Sequence, residues 1–180
     1  MDLLLVRHGL AGKADPLVWP DDDLRPLTPK GRKAFKAAAK GLKRESPRPS
    51  LILASPALRT RETAAILAKA LGLGERALKG WDALHFGRAP EKALSLLARQ
   101  RLPKAAALVG HEPWLGEFLS LLICGRTDAG LGFEKGGAAW VEIPEGGKAQ
   151  LVLGPKGEAL GKGRGRLHWL LSQDQLAALG

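Results

Sequence analysis

A chain of 180 residues suits a single domain over 1–180, and apolar residues at 45% with charged residues at 26% describe a globular protein with a hydrophobic core, which excludes a disordered or fibrous chain. Cys124 is the sole cysteine, so an intrachain disulfide and a zinc cluster of thiolates are both excluded. The net charge of +10 admits a nucleic-acid partner, an acidic substrate or a merely basic surface, and does not choose among them.

Asp2 to Val6 is a short apolar run that predicts a strand. It is too short for the apolar region of a signal peptide, and no other stretch approaches the ~20 apolar residues needed to cross a bilayer, so a soluble, cytoplasmic protein without a membrane association is expected. Gly9 to Leu27, with Pro16, Pro20, Pro26 and Asp21-Asp22-Asp23, predicts a long loop. Thr28-Pro29 then supplies a helix start, threonine as cap and proline at the first position, and alanine- and lysine-rich sequence carries the helix to about Lys43. Lys36, Lys40 and Lys43 share one face of it, which assigns them to solvent. Nothing of RNP, zinc-finger or helix-turn-helix type accompanies the basic residues, so nucleic acid is not the expected partner.

Leu51-Ile52-Leu53-Ala54 predicts a second buried strand, and Ser55-Pro56 starts a second helix that ends near Gly72. Residues 74–90 read as an irregular segment, after which Pro90 opens a third helix with Leu94 and Leu97. Ala105 to Val109 is the third strand, and Glu112-Pro113 opens a helix running to Cys124, whose thiol is expected to be buried. Ala138 to Ile143 and Gln150 to Leu153 predict a hairpin about Pro144-Glu145-Gly146-Gly147. Gly154 to Arg166 reads as a glycine- and lysine-rich surface loop, with an anion-binding arm as the alternative, and His168-Trp169-Leu170-Leu171 leads into a short C-terminal helix.

Strands alternating with helices imply a three-layer α/β/α domain with a mainly parallel central sheet, in which ligands bind beyond the carboxyl ends of the strands. Three predicted strand ends carry residues suited to one chemistry. The first delivers Arg7 and His8, the second delivers Ser55 with Arg59 one turn later, and the third delivers His111. A phosphoryl group is negative on several oxygens and transfers through a loose transition state, so arginine forks and N–H donors stabilise it. An imidazole attacks only when unprotonated, and neighbouring arginines disfavour imidazolium, which keeps His8 available as a nucleophile. His111 would donate to the phosphoryl oxygens, and the helix start at Glu112 would add backbone N–H groups. Singly, each residue has a structural explanation; jointly they make a phosphate pocket.

Arg7-His8-Gly9 after a strand, Ser55-Pro-Ala-Leu-Arg59-Thr-Arg-Glu-Thr63-Ala and Gly110-His111-Glu-Pro113 together resemble the histidine phosphatase superfamily. Within it, Arg25-Pro-Leu-Thr-Pro-Lys-Gly31 and Val109-Gly-His-Glu-Pro-Trp-Leu-Gly116 resemble the SixA-type phosphohistidine phosphatases, over Leu4 to about Ile143 and again around Trp169. The resemblance implies a phosphoglycerate mutase-like fold, His8 as the phosphohistidine intermediate, a phosphate pocket of Arg7, Arg59 and His111, and neither metal nor cofactor. Many members carry a glutamate four residues before the glycine of a Phe-Gly pair as general acid; here Ala83 stands there, with Asp82 adjacent and His85 near as the possible acids. An alkoxide leaving group needs a positioned acid, whereas imidazole leaving phosphohistidine is readily protonated, so the gap favours a phosphohistidine-bearing protein as substrate. A small-molecule phosphomonoesterase or nucleotide pyrophosphatase of the same superfamily is the alternative. A basic module binding nucleic acid or an acidic protein, or a metallohydrolase on His8, His111 and Asp82, stands further off, the latter because arginines would repel the cation.

Overall fold

A computed structural model describes residues 1–99, 102–144, 152–153, 159–160 and 165–180. In chain order its elements are β1 Asp2–Arg7, α1 Pro29–Glu45, β2 Leu51–Ala54, α2 Leu58–Leu71, β3 Leu78–Gly80, α3 Pro90–Arg99, β4 Ala105–Gly110, α4 Trp114–Cys124, β5 Ala138–Glu142, β6 Val152–Leu153, β7 Ala159–Leu160, β8 Arg166–Leu171 and α5 Gln173–Ala178. Short 3₁₀ turns at Asp22–Leu24 and Asp82–Leu84 lie in the connections from β1 to α1 and from β3 to α3.

The central sheet has the order β3-β2-β4-β1-β5-β8. β3, β2, β4 and β1 are mutually parallel, and only β5 runs against them, since it pairs antiparallel with both β1 and β8. Alternation along β1 builds the two flanking layers. Leu3 and Leu5 point to the face covered by α3 and α4, where they join Leu94, Trp114 and Phe118; Leu4 and Val6 point to the face covered by α1, α2 and α5, with Phe35, Leu42, Leu67 and Leu176. Each of these leucines in β1 is fully buried, and each contributes about 1.5–3 kcal/mol relative to an exposed leucine. The mostly parallel three-layer arrangement is the one expected, and it brings the carboxyl ends of β1, β2 and β4 to one edge.

The helices form where their signals lie. Thr28 Oγ accepts from Gly31 N at 2.9 Å, Pro29 occupies the first turn of α1, and Phe35, Ala38, Ala39 and Leu42 make its buried stripe while Lys36, Lys40 and Lys43 face solvent. α2 and α4 end on glycines in the left-handed region, Gly72 and Gly125, both at φ 73°. Among the described residues no helix is long and apolar enough to cross a membrane.

Four expectations are corrected. Residues 74–90 contain β3, which pairs with β2 through Ile52 and Leu78; its other two residues, Lys79 and Gly80, are exposed, so an edge strand this short carries too little apolar signal to be read. The hairpin does not form: both edges of β5 are taken, by β1 and by β8, and β6 pairs instead with β7 in a separate two-stranded sheet. The turn assigned to 144–147 lies mostly outside the described residues. The segment 154–166, expected as a surface loop, holds β7 and the start of β8, its other residues lying largely outside those described, while His168 to Leu171 completes β8 and leads into the expected C-terminal helix α5. Cys124 is exposed, because Gly125 ends α4 directly after it, off the buried stripe of Leu115, Phe118, Leu119 and Leu122.

Candidate active site

Parallel register does the first part of the assembly. Arg7 pairs with Gly110 at the ends of β1 and β4, so the next residues on the two strands, His8 and His111, emerge side by side with ring centroids 5.2 Å apart and planes inclined by 62°. His8 is fixed through its backbone, its N–H donating to Gly110 O at 3.1 Å and its carbonyl accepting from Gly136 N at 3.0 Å. At the end of β2, Ser55 N donates to Val109 O, and the Ser55 hydroxyl lies 2.9 Å from His111 Nε2. Arg59 in the first turn of α2 is 5% exposed. Arg7, His8, Arg59 and His111 all line one cavity of about 880 Å³ at the carboxyl edge of the sheet.

The protonation of His8 follows from its partner. Nδ1 lies 2.8 Å from Gly9 O, and a carbonyl oxygen only accepts, so Nδ1 carries the hydrogen and Nε2 of the neutral ring holds a free lone pair. Burial holds the His8 pKa down to about 4; the Gly9 hydrogen bond opposes this, and the positive charges of Arg59, Arg7 and Arg25 reinforce it. Burial lowers His111 further, to about 3, with Arg59 and the neighbouring His8 adding to the effect. Both imidazoles are therefore neutral near pH 7. A neutral His111 can offer an anion a hydrogen bond but no full charge.

The wall opposite the strand ends comes from two connections. Residues 9–28 are pinned at their base: Gly12 N donates to Pro26 O, Thr28 N donates to Leu10 O, and a β-carbon on Gly31 would sit 2.0 Å from Leu10 O, an approach only glycine permits. From this loop Arg25 joins the cavity, its Nε and Nη2 on the two Asp22 carboxylate oxygens at 2.7 and 3.1 Å and its Nη1 on Gly12 O. Asp22 also meets Arg59, through its backbone carbonyl at 2.7 Å and its carboxylate at 3.1 Å. The Arg25 hydrogen bonds, chiefly, hold the Asp22 carboxyl below its usual range. From the second connection comes His85, whose Nε2 lies 2.7 Å from Asp23 Oδ2.

Asp82 is exposed and is not part of the cavity wall; His85, three residues on, is. Glu112 lines the cavity, but α4 begins only at Trp114, with Pro113 as its cap, so Glu112 precedes the first turn. Its carboxylate accepts from Phe133 N at 3.2 Å, and burial pushes its pKa up. Arg7 donates to Phe133 O from its Nη1. The sequence reading missed Arg25, Asp22 and Asp23 as site residues, although the run from Arg25 to Gly31 had been singled out and was the available signal. Among the described residues, no group of three or more His, Cys, Asp or Glu side chains is gathered to hold a metal ion.

A neutral, lone-pair-bearing imidazole among guanidinium groups, at the carboxyl edge of a parallel sheet, is the equipment of a phosphoryl-transfer enzyme. The chain belongs to the histidine phosphatase superfamily (branch 1), whose description matches residues 3–119, and it is a phosphatase. An uncharacterized protein of Picosynechococcus sp. is 38% identical over 144 residues, which cover 76% of this chain and 82% of that one. The protein histidine phosphatase SixA complexed with tungstate superposes with a TM-score of 0.76 at 22% identity, covering 98% of this chain and 99% of its own. A protein of Agrobacterium tumefaciens assigned as a SixA phosphohistidine phosphatase gives 0.70 at 25% identity, over 95% of this chain and 97% of its own. The resemblance seen in the motifs is thus matched by the family description and by the phosphoglycerate mutase-like fold.

Proposed function

We propose that this phosphatase hydrolyses phosphohistidine on a partner protein through a covalent phosphohistidine of its own at His8. One observation carries the reading: the bond from His8 Nδ1–H to Gly9 O, which leaves Nε2 as a neutral nucleophile in an arginine-lined cavity. Nε2 attacks phosphorus, the bond from phosphorus to the substrate imidazole breaks, and the departing ring takes a proton. Water then attacks the phosphoenzyme, the P–Nε2 bond breaks, and phosphate leaves. Arg7, Arg59 and Arg25 offer the positive charge that divalent cations supply at other phosphoryl-transfer sites, and His111 and the backbone at Glu112 add donors.

Two features support an N-linked protein substrate. The four carboxylates on the cavity wall are each engaged as acceptors: Asp21 by Asp23 N, Asp22 by Arg25 and Arg59, Asp23 by His85, and Glu112 by Phe133 N. Imidazole departure does not require a carboxylic acid. The two connections that wall the cavity also carry exposed apolar side chains, Leu17 (94%), Val18, Leu24 and Phe86 (64%), suited to contact with another protein.

Brief exposure to a phosphohistidine peptide, followed by quenching in alkali, is expected to leave acid-labile phosphate on His8. His8→Ala should trap none and lose at least about 10⁴-fold in turnover, the scale seen when a catalytic nucleophile is removed. Faster turnover of an alkyl phosphate than of the peptide would sink the substrate assignment, and normal turnover by His8→Ala would sink the mechanism.

A further inference from the structure

Ser55 carries a hydroxyl that the mechanism above does not use. A serine just before a helix ordinarily caps it, its oxygen accepting from backbone N–H groups of the first turn. Here the cap of α2 is Ala57, with no side-chain hydrogen bond, so the Ser55 hydroxyl is free for another task. Its oxygen lies 2.9 Å from His111 Nε2, its one partner among the described residues, and Ser55 is fully buried. The backbone of Ser55 is engaged separately: its N–H donates to Val109 O at 3.0 Å, and its carbonyl accepts from Thr60 Oγ1 at 2.8 Å. The contact thus joins the carboxyl ends of two neighbouring parallel strands, β2 and β4.

Two arrangements of hydrogens fit that distance. Burial keeps the His111 ring neutral, helped by the charge of Arg59 and by the neighbouring His8 and His85, with Asp22 opposing; one ring nitrogen therefore carries the hydrogen and the other a lone pair. If Nε2 held the hydrogen it would donate to Ser55, whose own O–H would then lack an acceptor where water has no access. If Ser55 donates instead, the hydroxyl hydrogen and the Nε2 lone pair are both satisfied, and Nδ1 carries the ring hydrogen. Only this second arrangement leaves nothing buried and unpaired. His111 lines the cavity and its Nδ1 has no partner among the described residues, so the Nδ1–H is the group offered to a ligand there. The opposite tautomer would set a lone pair against phosphoryl oxygens.

We infer that Ser55 is a positioning residue for His111: its hydroxyl donates to Nε2 and so fixes the Nδ1–H tautomer, making His111 an uncharged donor to the transferring phosphoryl group. The inference rests on the phosphate pocket around His8, though not on phosphohistidine as the substrate, because the donor serves the phosphoryl oxygens and not the leaving group. A donor whose hydrogen is fixed beforehand needs no reorganisation as charge develops, which is where a preorganised site contributes most.

Nitrogen-15 NMR of the imidazoles near pH 7 reads the tautomer directly, with the His111 signals assigned by their loss in His111→Ala. The wild-type ring is expected to be protonated at Nδ1 and bare at Nε2, and Ser55→Ala to populate the Nε2–H form as well. A wild-type ring protonated at Nε2, or a tautomer unmoved by Ser55→Ala, would overturn the inference. Kinetics supplies the second arm. Ser55→Ala is expected to lower kcat/KM about tenfold or more on both phosphoimidazole and p-nitrophenyl phosphate, less than the loss of about 10²–10³-fold that follows removal of a donor outright. In a His111→Ala background the same substitution should change the rate by less than about twofold, since it acts through a ring that is gone. An equal loss in both backgrounds would make Ser55 a packing residue and overturn the inference, as would a loss confined to one of the two substrates. A chain that turns over p-nitrophenyl phosphate but not phosphoimidazole, and shows the Nδ1–H ring and its dependence on Ser55, would uphold this inference and overturn the phosphohistidine reading.

Discussion

The two sides of the cavity are held by different physics. On the strand side, His8, Ser55 and His111 follow directly from three adjacent parallel strands, and backbone hydrogen bonds such as His8 N to Gly110 O set their positions. His8 and His111 are 7% and 3% exposed. On the loop side, Asp22, Asp23, Arg25 and His85 are held by side-chain contacts, with Asp22 half exposed and the His85–Asp23 pair about one-third exposed on each partner. A position set by sheet register is paid for by the whole core, whereas exposed ion pairs each contribute little and are screened by salt. The strand side is therefore the more firmly set part of the cavity, and the loop side the more readily displaced.

The comparison breaks most visibly at Arg59, which belongs to α2 but grips Asp22 across the cavity. Arg59→Ala should lower kcat/KM by about 10²–10³-fold on every substrate, the cost of losing one donor aimed at transition-state charge. A loss confined to one class of leaving group would show that it serves the loop side only.

Arg25 is the loop-side counterpart. Arg25→Ala is expected to cost about tenfold, with the loss shrinking as salt is raised. Asp22→Asn should produce an overlapping loss, so that the double variant is less damaged than the two single effects combined. Fully additive losses in that double-mutant cycle would mean that Asp22 does not act through Arg25.

The smallest effect is spread over pH. Both buried histidines have folded-state pKa values, about 4 and about 3, below the 6.5 of an ordinary imidazole. The unfolded chain thus takes up protons first as pH falls. The stability that these neutral rings contribute is complete above 6.5 and is lost progressively below it, down to about 4 for His8 and about 3 for His111. Thermal unfolding followed from about pH 7 to pH 5 should show Tm falling, and His111→Gln should flatten part of that slope. A Tm that rises on acidification would reverse the assignment of neutral rings.

The strand side was legible in the sequence because its information is local. A strand of apolar residues ending in Arg7-His8, another ending in Ser55 with Arg59 a turn away, and a third ending at His111 each announce themselves within a few residues. Parallel pairing then leaves little choice about where the three ends meet. Locality could not choose between Asp82 and His85, close neighbours in the chain: of the two, only His85 lines the cavity. It also produced a hairpin between neighbouring segments where β5 instead pairs with β1 and β8.

The sequence by itself determined the layers, the order of most elements and the candidate nucleophile with its arginine and histidine companions, since hydrophobic alternation, helix caps and strand-end motifs are short-range properties. Only the tertiary structure decided that Nε2 of His8 is the free nitrogen, that Asp22 bridges Arg25 and Arg59, and that Asp23 meets His85. Each of these depends on a hydrogen bond, and the contacts Asp22–Arg59 and Asp23–His85 join residues 37 and 62 positions apart, whose meeting no spacing rule encodes. Such contacts exist only once the core has fixed the two connections opposite one another.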